Sequence, residues 1–340
     1  MSQITGVVGV GNMGGGMAKR LLSLGQKVCV HDIDPSKPQA LQALGAQVVE
    51  DAAAVAAVAD TVIVCVIDAP QIQQVFDGSR GLLAGMRAGQ TVIMCPTIAP
   101  ADTEHFASQL HAKGVHMVDA PMSGGPIRAG NGTMSLMLAA PAEVLAAQEA
   151  LLQSLSNQCV FISHRIGDGA RVKLVNNLLA GINLVGACEV MVLAEKMGLS
   201  KDTALSLIER SSGQSWIATD RLRRVFAQDT TVGSHMRLLA KDTRLAMQAA
   251  AQVGYSGWLG AQAAKAFAMA CEQGMTDSEW FWLLVAVGVF WAVGAYRRLM
   301  GLRAQVNKQF AVLEDMMLGY QALVQDATTA AVTAPSGWQT

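Results

Sequence analysis

Apolar runs and helical repeats alternate along the first half of this chain. Short stretches rich in Val, Ile and Met recur at 4–10, 27–32, 61–67, 91–95, 115–119, 134–139 and 159–163, and glycine or proline punctuates most of their ends. Runs that are apolar throughout, rather than at every second residue, belong to strands covered on both faces, and the amphipathic stretches between them supply the covering helices. The pattern predicts a parallel sheet with helices on both sides. From Gly167 the strand pattern stops. Segments of helical period rich in Ala, Leu and Met take over at about 167–197, 201–211, 215–227, 233–254 and 257–273. The first carries few charges and many small residues, so it is expected to be buried on most sides, against the sheet domain or a second copy of the chain. The expected organisation is an α/β domain over 1–163 and an all-α domain over 164–279.

The first strand opens into Gly9-Val10-Gly11-Asn12-Met13-Gly14, and the second ends on His31-Asp32. Strand, glycine turn, helix, strand and acidic residue in that order make a dinucleotide site, which marks the first domain as a Rossmann domain. Gly9 permits the tight turn, Gly11 brings backbone close to a pyrophosphate, and Gly14 lets the helix pack on the strand. The phosphates then sit at the helix start, at Gly11, Asn12 and Met13, where free N–H groups and the positive dipole end attract anions. Asp32 stands 18 residues beyond Gly14, close to the usual place of a carboxylate that accepts hydrogen bonds from the adenosine ribose. No Arg follows Asp32 directly, so NAD fits better than NADP.

Composition narrows the class. With 340 residues and 51% hydrophobic content the chain can hold two cores, and a formal net charge of −1 without a basic stripe gives no reason to expect nucleic acid as a partner. Six cysteines are scattered without a C-x-x-C pair, the usage of buried, reduced thiols in a cytosolic protein rather than of disulfides or a metal site. The N-terminus lacks the charged, apolar and cleavage regions of a signal peptide, so the protein is expected in the cytoplasm.

The C-terminal part breaks this picture. Residues 280–296, from Trp280 to Tyr296, form 17 uncharged residues with aromatic ends, followed at once by Arg297, Arg298 and Arg303. As a helix they would cover roughly 25 Å, the lower limit for a bilayer core, and the aromatic ends and basic flank suit a membrane interface. The other reading is a buried helix at an oligomer interface; three tryptophans on an all-round apolar helix favour the membrane. Over 297–326, Leu299, Leu302, Val306, Phe310, Leu313 and Met317 recur at three- and four-residue steps of one amphipathic helix, and 327–340 reads as a disordered tail.

Two further segments carry chemistry. Asp119-Ala120-Pro121-Met122-Ser123-Gly124-Gly125-Pro126 closes a strand with a glycine turn bearing one hydroxyl. Backbone N–H groups there, with Ser123 Oγ, can cradle a carboxylate. Downstream, Lys173 and Asn177 stand one helical turn apart and share a face, which Gly181 extends without bulk. A lysine aimed into an apolar cleft has its charged form disfavoured, which brings it toward proton exchange with an alcohol.

These motifs in this order resemble the β-hydroxyacid dehydrogenase family over about residues 4–279. The resemblance implies oxidoreductase activity on a small hydroxyacid such as 3-hydroxyisobutyrate, with NAD as cofactor, in a homo-oligomer. It places Asp119 to Gly125 on the family's substrate-binding signature, with Ser123, Gly124 and Gly125 as substrate contacts. Lys173 falls on its catalytic lysine and Asn177 on its substrate-contacting asparagine. Thr97 falls on a threonine near the nicotinamide ribose, and Lys241 on a lysine that closes over the cofactor. Departures from the family pattern lie in Met94-Cys95-Pro96-Thr97, in Met122 and in Trp216, all of which bear on the substrate. The alternatives are an NADPH-dependent reductase of a semialdehyde or glyoxylate, and a non-catalytic, membrane-tethered NAD-binding scaffold. The extension resembles the start of LemA-type membrane proteins, through Tyr296, Leu299, Leu302 and Arg303, over about 45 residues. The basic flank would put the dehydrogenase outside the cell, away from NAD; a segment lying in the interface, an inverted orientation or a fusion removes that conflict.

Overall fold

The computed structural model describes residues 3–227, 235–274 and 300. Residues Met1–Leu284 form one compact unit and Val285–Thr340 a second. The expected apolar segment 280–296, amphipathic helix 297–326 and tail 327–340 lie outside the described residues, Met300 apart.

The first part of the chain runs β1 (Ile4–Val8), α1 (Asn12–Ser23), β2 (Lys27–His31), α2 (Ser36–Gln42), β3 (Gln47–Val48), α3 (Ala52–Val58), β4 (Thr61–Val64), α4 (Ala69–Phe76), α5 (Leu82–Gly85), β5 (Thr91–Met94), α6 (Pro100–His111) and β6 (His116–Asp119). It continues through β7 (Met122–Ser123), α7 (Gly125–Asn131), β8 (Ser135–Ala139), α8 (Ala142–Leu155) and β9 (Gln158–Ser163). The helical part comprises α9 (Asp168–Lys196), α10 (Lys201–Ile208), α11 (Trp216–Phe226), α12 (Met236–Gln252) and α13 (Trp258–Glu272).

The strands lie in the order β3-β2-β1-β4-β5-β6-β8-β7, with β9 on β8. Strict alternation along each strand feeds two cores. Val7, Val30, Ile63, Ile93 and Val118 face one side, and Val8, Cys29, Val62, Val64, Val92 and Met94 the other. The parallel register stacks these rungs, with Val7 opposite both Val30 and Ile63 and Ile93 opposite Val118. The chain leaves β1 toward β2 on one side and toward β4 on the other, and this switch of direction opens a crevice at the carboxyl ends of the strands.

The expected all-parallel sheet holds from β3 to β6 and fails beyond it, where β8 pairs antiparallel with β6 and β7. A parallel return needs a crossover of a dozen or more residues. The connection from β6 to β8 meets that length, but it is divided between β7, which itself pairs antiparallel with β8, and the seven-residue α7, so β8 runs back against both β6 and β7. Within one chain, the early helical segment is only partly enclosed. The 29-residue α9 exposes Val175, Leu179, Val190 and Leu193. Among the described residues it alone is long and apolar enough to cross a membrane by length and composition, yet it packs against α10, α11, α12 and α13 and sets Lys173 in its first turns. Of the cysteines, Cys159 is exposed and Cys65 and Cys271 half-buried, unlike the fully buried set expected.

A buried carboxylate joins the sheet to the helical part, beside the more exposed Glu104 on α6, which pairs with Arg171 on α9 at 2.6 Å. Asp119, 2% exposed at the end of β6, accepts hydrogen bonds from the N–H groups of Gly167 (2.9 Å) and Ala170 (3.1 Å) at the start of α9. Gly169 permits this approach, since a Cβ there would lie 2.9 Å from Asp119 Cγ. Burial pushes the Asp119 carboxyl up to about 6, against the backbone hydrogen bonds that favour its ionised form. Asp119, the first residue of the segment read as the substrate-binding signature, thus also caps the start of α9. Buried donors left without an acceptor cost about 1–3 kcal/mol each. Asp119→Ala is therefore expected to destabilise the fold by about 3 kcal/mol, read as a lower urea midpoint at unchanged slope, with Asp119→Asn, which keeps one acceptor, losing less.

Candidate active site

A cavity of about 1660 Å³ occupies the crevice at the carboxyl ends of the strands, and the helical part forms its other wall. Gly9, Gly11, Asn12, Met13, Asp32, Thr97, Ser123, Gly124, Gly125, Lys173, Asn177 and Lys241 all line it. Of the residues singled out from the sequence, Gly14 stays behind the wall. A Cβ at Gly14 would lie 2.0 Å from the Gly9 carbonyl oxygen, so its hydrogen is what lets α1 seat on β1. Gly9 itself sits at φ +86°, and a Cβ there would meet the Cys65 carbonyl at 2.5 Å.

The residues fit a dinucleotide. A Cβ on Gly11 would meet nothing within 4 Å, so the turn leaves an open cradle where a pyrophosphate would lie. Gly11 caps α1 without a side-chain hydrogen bond, and the first turn carries no acidic residue to compete with an anion. Asp32 is held in place by the N–H groups of Val10 (2.8 Å, to Oδ2) and Asp34 (2.9 Å, to Oδ1). A carboxylate offers about four acceptor positions, so it can still receive ribose hydroxyls. Sequence reasoning missed Lys37, whose Nζ lies 3.5 Å from Asp32 Oδ1; a cation five residues on, at the start of α2, carries no local motif.

Across the cavity, α9 and α12 bring four polar side chains together. Lys173 is 6% exposed. Burial lowers its pKa to about 8, Asp242 pulls it back up, and Lys241 adds to the lowering. Asn177 Nδ2 donates to Asp242 Oδ2 at 2.6 Å, and Lys241 Nζ stands 3.0 Å from Asp242 Oδ1. Lys241 also donates to the carbonyl oxygen of Thr97, which links α12 to the loop after β5. Asp242 is the residue the sequence reading did not single out, although it adjoins Lys241. Its role depends on α9 and α12 being neighbours, which neighbouring positions in the chain do not reveal. Gly181 does not extend this face. It packs against α12 and α13, where a Cβ would lie 2.8 Å from Thr243 and 3.1 Å from Phe267.

Ser123 and its glycines reach the cavity because α1 and α7 pack closely. A Cβ at Gly16 would sit 3.1 Å from that of Ala129, which places the Ser123 turn beside the Gly11 turn. Gly124 (φ +126°) and Gly125 (φ +76°) take backbone angles that other residues resist. Trp216 lines the same cavity, as its place in the sequence suggested.

Fold and site together define a dinucleotide-dependent oxidoreductase whose cavity is walled on one side by the lysine-bearing α9. Comparison with known proteins agrees. Residues 4–163 match the NAD-binding domain of 6-phosphogluconate dehydrogenase, and residues 167–283 match the NAD-binding domain of NADP-dependent 3-hydroxyisobutyrate dehydrogenase. L-threonate dehydrogenase from Cupriavidus necator is 32% identical over 274 residues, 81% of this chain and 92% of that protein. The mitochondrial 3-hydroxyisobutyrate dehydrogenase of Bos taurus is 30% identical, covering 81% of this chain and 83% of its own. A crystal structure of 3-hydroxyisobutyrate dehydrogenase from Salmonella typhimurium superposes with a TM-score of 0.78 at 28% identity, covering 85% of this chain and 100% of that one. The chain belongs to the β-hydroxyacid dehydrogenase family and is an NAD(P)-dependent hydroxyacid dehydrogenase.

The buried lysine carries a test of its own. Shifting Lys173 from 10.5 to about 8 means that its charged form costs about 3 kcal/mol more here than in water. Amine-selective acylation followed by mass spectrometry is expected to modify Lys173 with a midpoint near pH 8, while exposed lysines follow at about 10.4. Because the folded protein binds this proton less tightly than the unfolded chain, stability rises as pH rises from about 8 toward 10.5.

Proposed function

We propose that this enzyme oxidises the carbinol carbon of a small β-hydroxyacid of the 3-hydroxyisobutyrate or L-threonate kind, with NAD as cofactor and Lys173 as general acid and base. The observation that carries the reading is a single one: a lysine buried to a pKa of about 8 faces, across one cavity, an open glycine cradle for a pyrophosphate. Ser123 Oγ and the N–H groups of Gly124 and Gly125 receive the substrate carboxylate. Its hydroxyl lies between Lys173 Nζ and Asn177. Bound NAD supplies a hydride acceptor. As the carbinol C–H bond gives up hydride, the hydroxyl proton passes to the neutral amine of Lys173, and in the reduction direction the ammonium returns it. Asp242 fixes Asn177 through their 2.6 Å hydrogen bond, and Lys241, braced on the Thr97 carbonyl, ties the helical wall to the loop beside the nicotinamide. Gly9, Gly11, Asn12, Met13 and Gly14 shape the phosphate turn, and Asp32 takes the adenosine ribose.

A second reading within the family, reduction of a semialdehyde or glyoxylate with NADPH, draws support from Lys37 at 3.5 Å from Asp32, a cation where a 2′-phosphate would need one. A non-catalytic scaffold is disfavoured, since a scaffold gains nothing from burying a lysine whose charge Asp242 offsets only in part. A homo-oligomer is supported by the apolar surface that Val175, Leu179, Val190 and Leu193 leave exposed on α9. Association of 280–296 with the cytoplasmic membrane, and the likeness of the extension to LemA-type proteins, rest on sequence alone, since the family match ends at residue 283, within that segment. A cytoplasmic location agrees with the need for NAD.

Lys173→Ala is expected to lower kcat by about 10²- to 10⁴-fold with the dissociation constant for NAD unchanged; near-normal turnover in that variant would remove the lysine from this role. In the wild-type enzyme, kcat/KM for oxidation should climb with pH to a plateau above about 8, because only the neutral amine accepts the proton, and for reduction it should fall over the same range. Assaying 3-hydroxyisobutyrate, glycerate and threonate with NAD and with NADP separates the two cofactor readings, and a strong NADP preference would overturn the role of Asp32 in selecting NAD.

A further inference from the structure

Two cysteines remote from each other in sequence meet on the floor of the dinucleotide cavity. Strands β4 and β5 run parallel in a register that sets Val64 opposite Met94. One residue further on, Cys65 and Cys95 stand side by side. There the Cys95 N–H donates to the Val64 carbonyl at 3.0 Å, and the Cys65 N–H to that of Val8 at 2.9 Å. Val64 and Met94 face one core, so their successors face the other, which Cys95 joins and against which Cys65 packs. Both cysteines line the cavity, as do Met13 and Met122, whose side chains pack on the same core. The start of α1 lies over the pair, since a Cβ on Gly14 would come 3.2 Å from the Cys65 Cβ.

Spacing decides what such a pair can do. Neighbouring strands lie about 4.8 Å apart, and side chains on one face of a parallel pair project alongside each other. A disulfide wants its Cβ atoms about 3.8 Å apart, so direct oxidation would require the strands to close up. An ion midway between the two sulfurs needs each to reach about 2.4 Å, half the strand spacing, close to a metal–thiolate bond of about 2.3 Å. Burial pushes the Cys65 thiol up to about 12 and holds that of Cys95 well above its usual value, with the neighbouring Cys65 as the next cause. Neither is a thiolate at neutral pH, and a cation that binds both must displace both protons.

The donor set selects the ion. Thiolates and thioethers are soft ligands that favour Cu(I), whereas Zn(II) takes four ligands and recruits His or carboxylate where cysteines run out. Asp32 and Asp119, whose charges the two thiols feel, are already committed to backbone N–H groups. We propose that Cys65 and Cys95 form a two-thiolate site for a soft monovalent cation of the Cu(I) class, and that this cation and the dinucleotide bind antagonistically. The exchange takes Cu(I) and two thiols to one bis-thiolate complex and two protons, with no change of oxidation state. The complex carries one net negative charge beneath the turn where a pyrophosphate would lie, and like charges repel strongly in a cavity shielded from water. Neither Lys173 nor the identity of the acid enters, so the site stands or falls separately from the catalytic reading.

The test uses the full-length protein under anaerobic conditions, with Cu(I) titrated against the chromogenic chelator bathocuproine disulfonate. One Cu(I) should bind tightly per chain and release two protons in weakly buffered solution near pH 7. Cys65→Ser and Cys95→Ser should each weaken binding at least about 100-fold, while Cys159→Ser, at the exposed cysteine, leaves it unchanged. Loading with Cu(I) should weaken NADH binding at least about 10-fold, and saturating NADH should weaken Cu(I) binding by the same factor. Wild-type Cu(I) affinity in either the Cys65 or the Cys95 variant, fewer than two protons released, or Zn(II) bound as tightly as Cu(I) overturns the site. NADH binding indifferent to Cu(I) overturns the antagonism. A lowered thermal midpoint identifies a misfolded variant; Cys65→Ala and Cys95→Ala then carry the comparison, and proton release with the NADH antagonism decides in the wild type.

Discussion

The grip of Asp119 on the first turn of α9 is the contact on which the active site depends. The nucleotide turn belongs to the sheet and Lys173 belongs to the helical part, so the site exists only if the two meet at fixed distance. A carboxylate buried at the end of β6 accepts from the N–H groups of Gly167 and Ala170, four of which every helix start leaves without partners. Six residues on from Gly167 comes Lys173. The arrangement sets helix position through directional bonds in a dry environment, where a lapse in geometry costs more than it would at the surface. It also explains the glycine at 169, whose side chain would occupy the space Asp119 needs.

The second constraint is electrostatic. Lys173 is buried deeply enough to lose much of its preference for the proton, and Asp242 limits that loss. Asp242 serves two further partners, Asn177 and Lys241, so one carboxylate sets the charge balance and the orientation of the proposed proton-transfer pair. Lys241 in turn reaches the Thr97 carbonyl on the sheet side. The helical wall thus holds the sheet domain through Asp119 and the Arg171–Glu104 pair at the base of α9 and through Lys241 on α12.

Much of this was legible along the chain. The two-sided core of the sheet followed from runs apolar throughout, because a strand covered by helices on both faces has no polar positions to show. The nucleotide turn was legible because its constraints are local: Gly9, Gly11 and Gly14 each answer a backbone demand within a few residues. Ser123 and Lys173 were found through a likeness to a family, with spacing alone unable to choose them. The antiparallel return of β8 escaped notice because apolar content says nothing of strand direction, and the two-residue β7 that pairs with it carries no periodicity to read. Gly181 was misassigned because a helix turns 100° per residue, so a position eight residues from Lys173 has drifted toward α12 and α13.

By itself, then, the sequence determined the periodicities, the glycine turn with Asp32 and the class of chemistry, since each arises from neighbours along the chain. Only the tertiary structure decided that Asp119 caps α9, that Asp242 stands between Asn177 and Lys241, and that Arg221 and Lys37 reach the cavity. Those assignments join elements far apart in sequence. Burial and charge balance act through space, and a one-dimensional pattern records neither until the helices have packed.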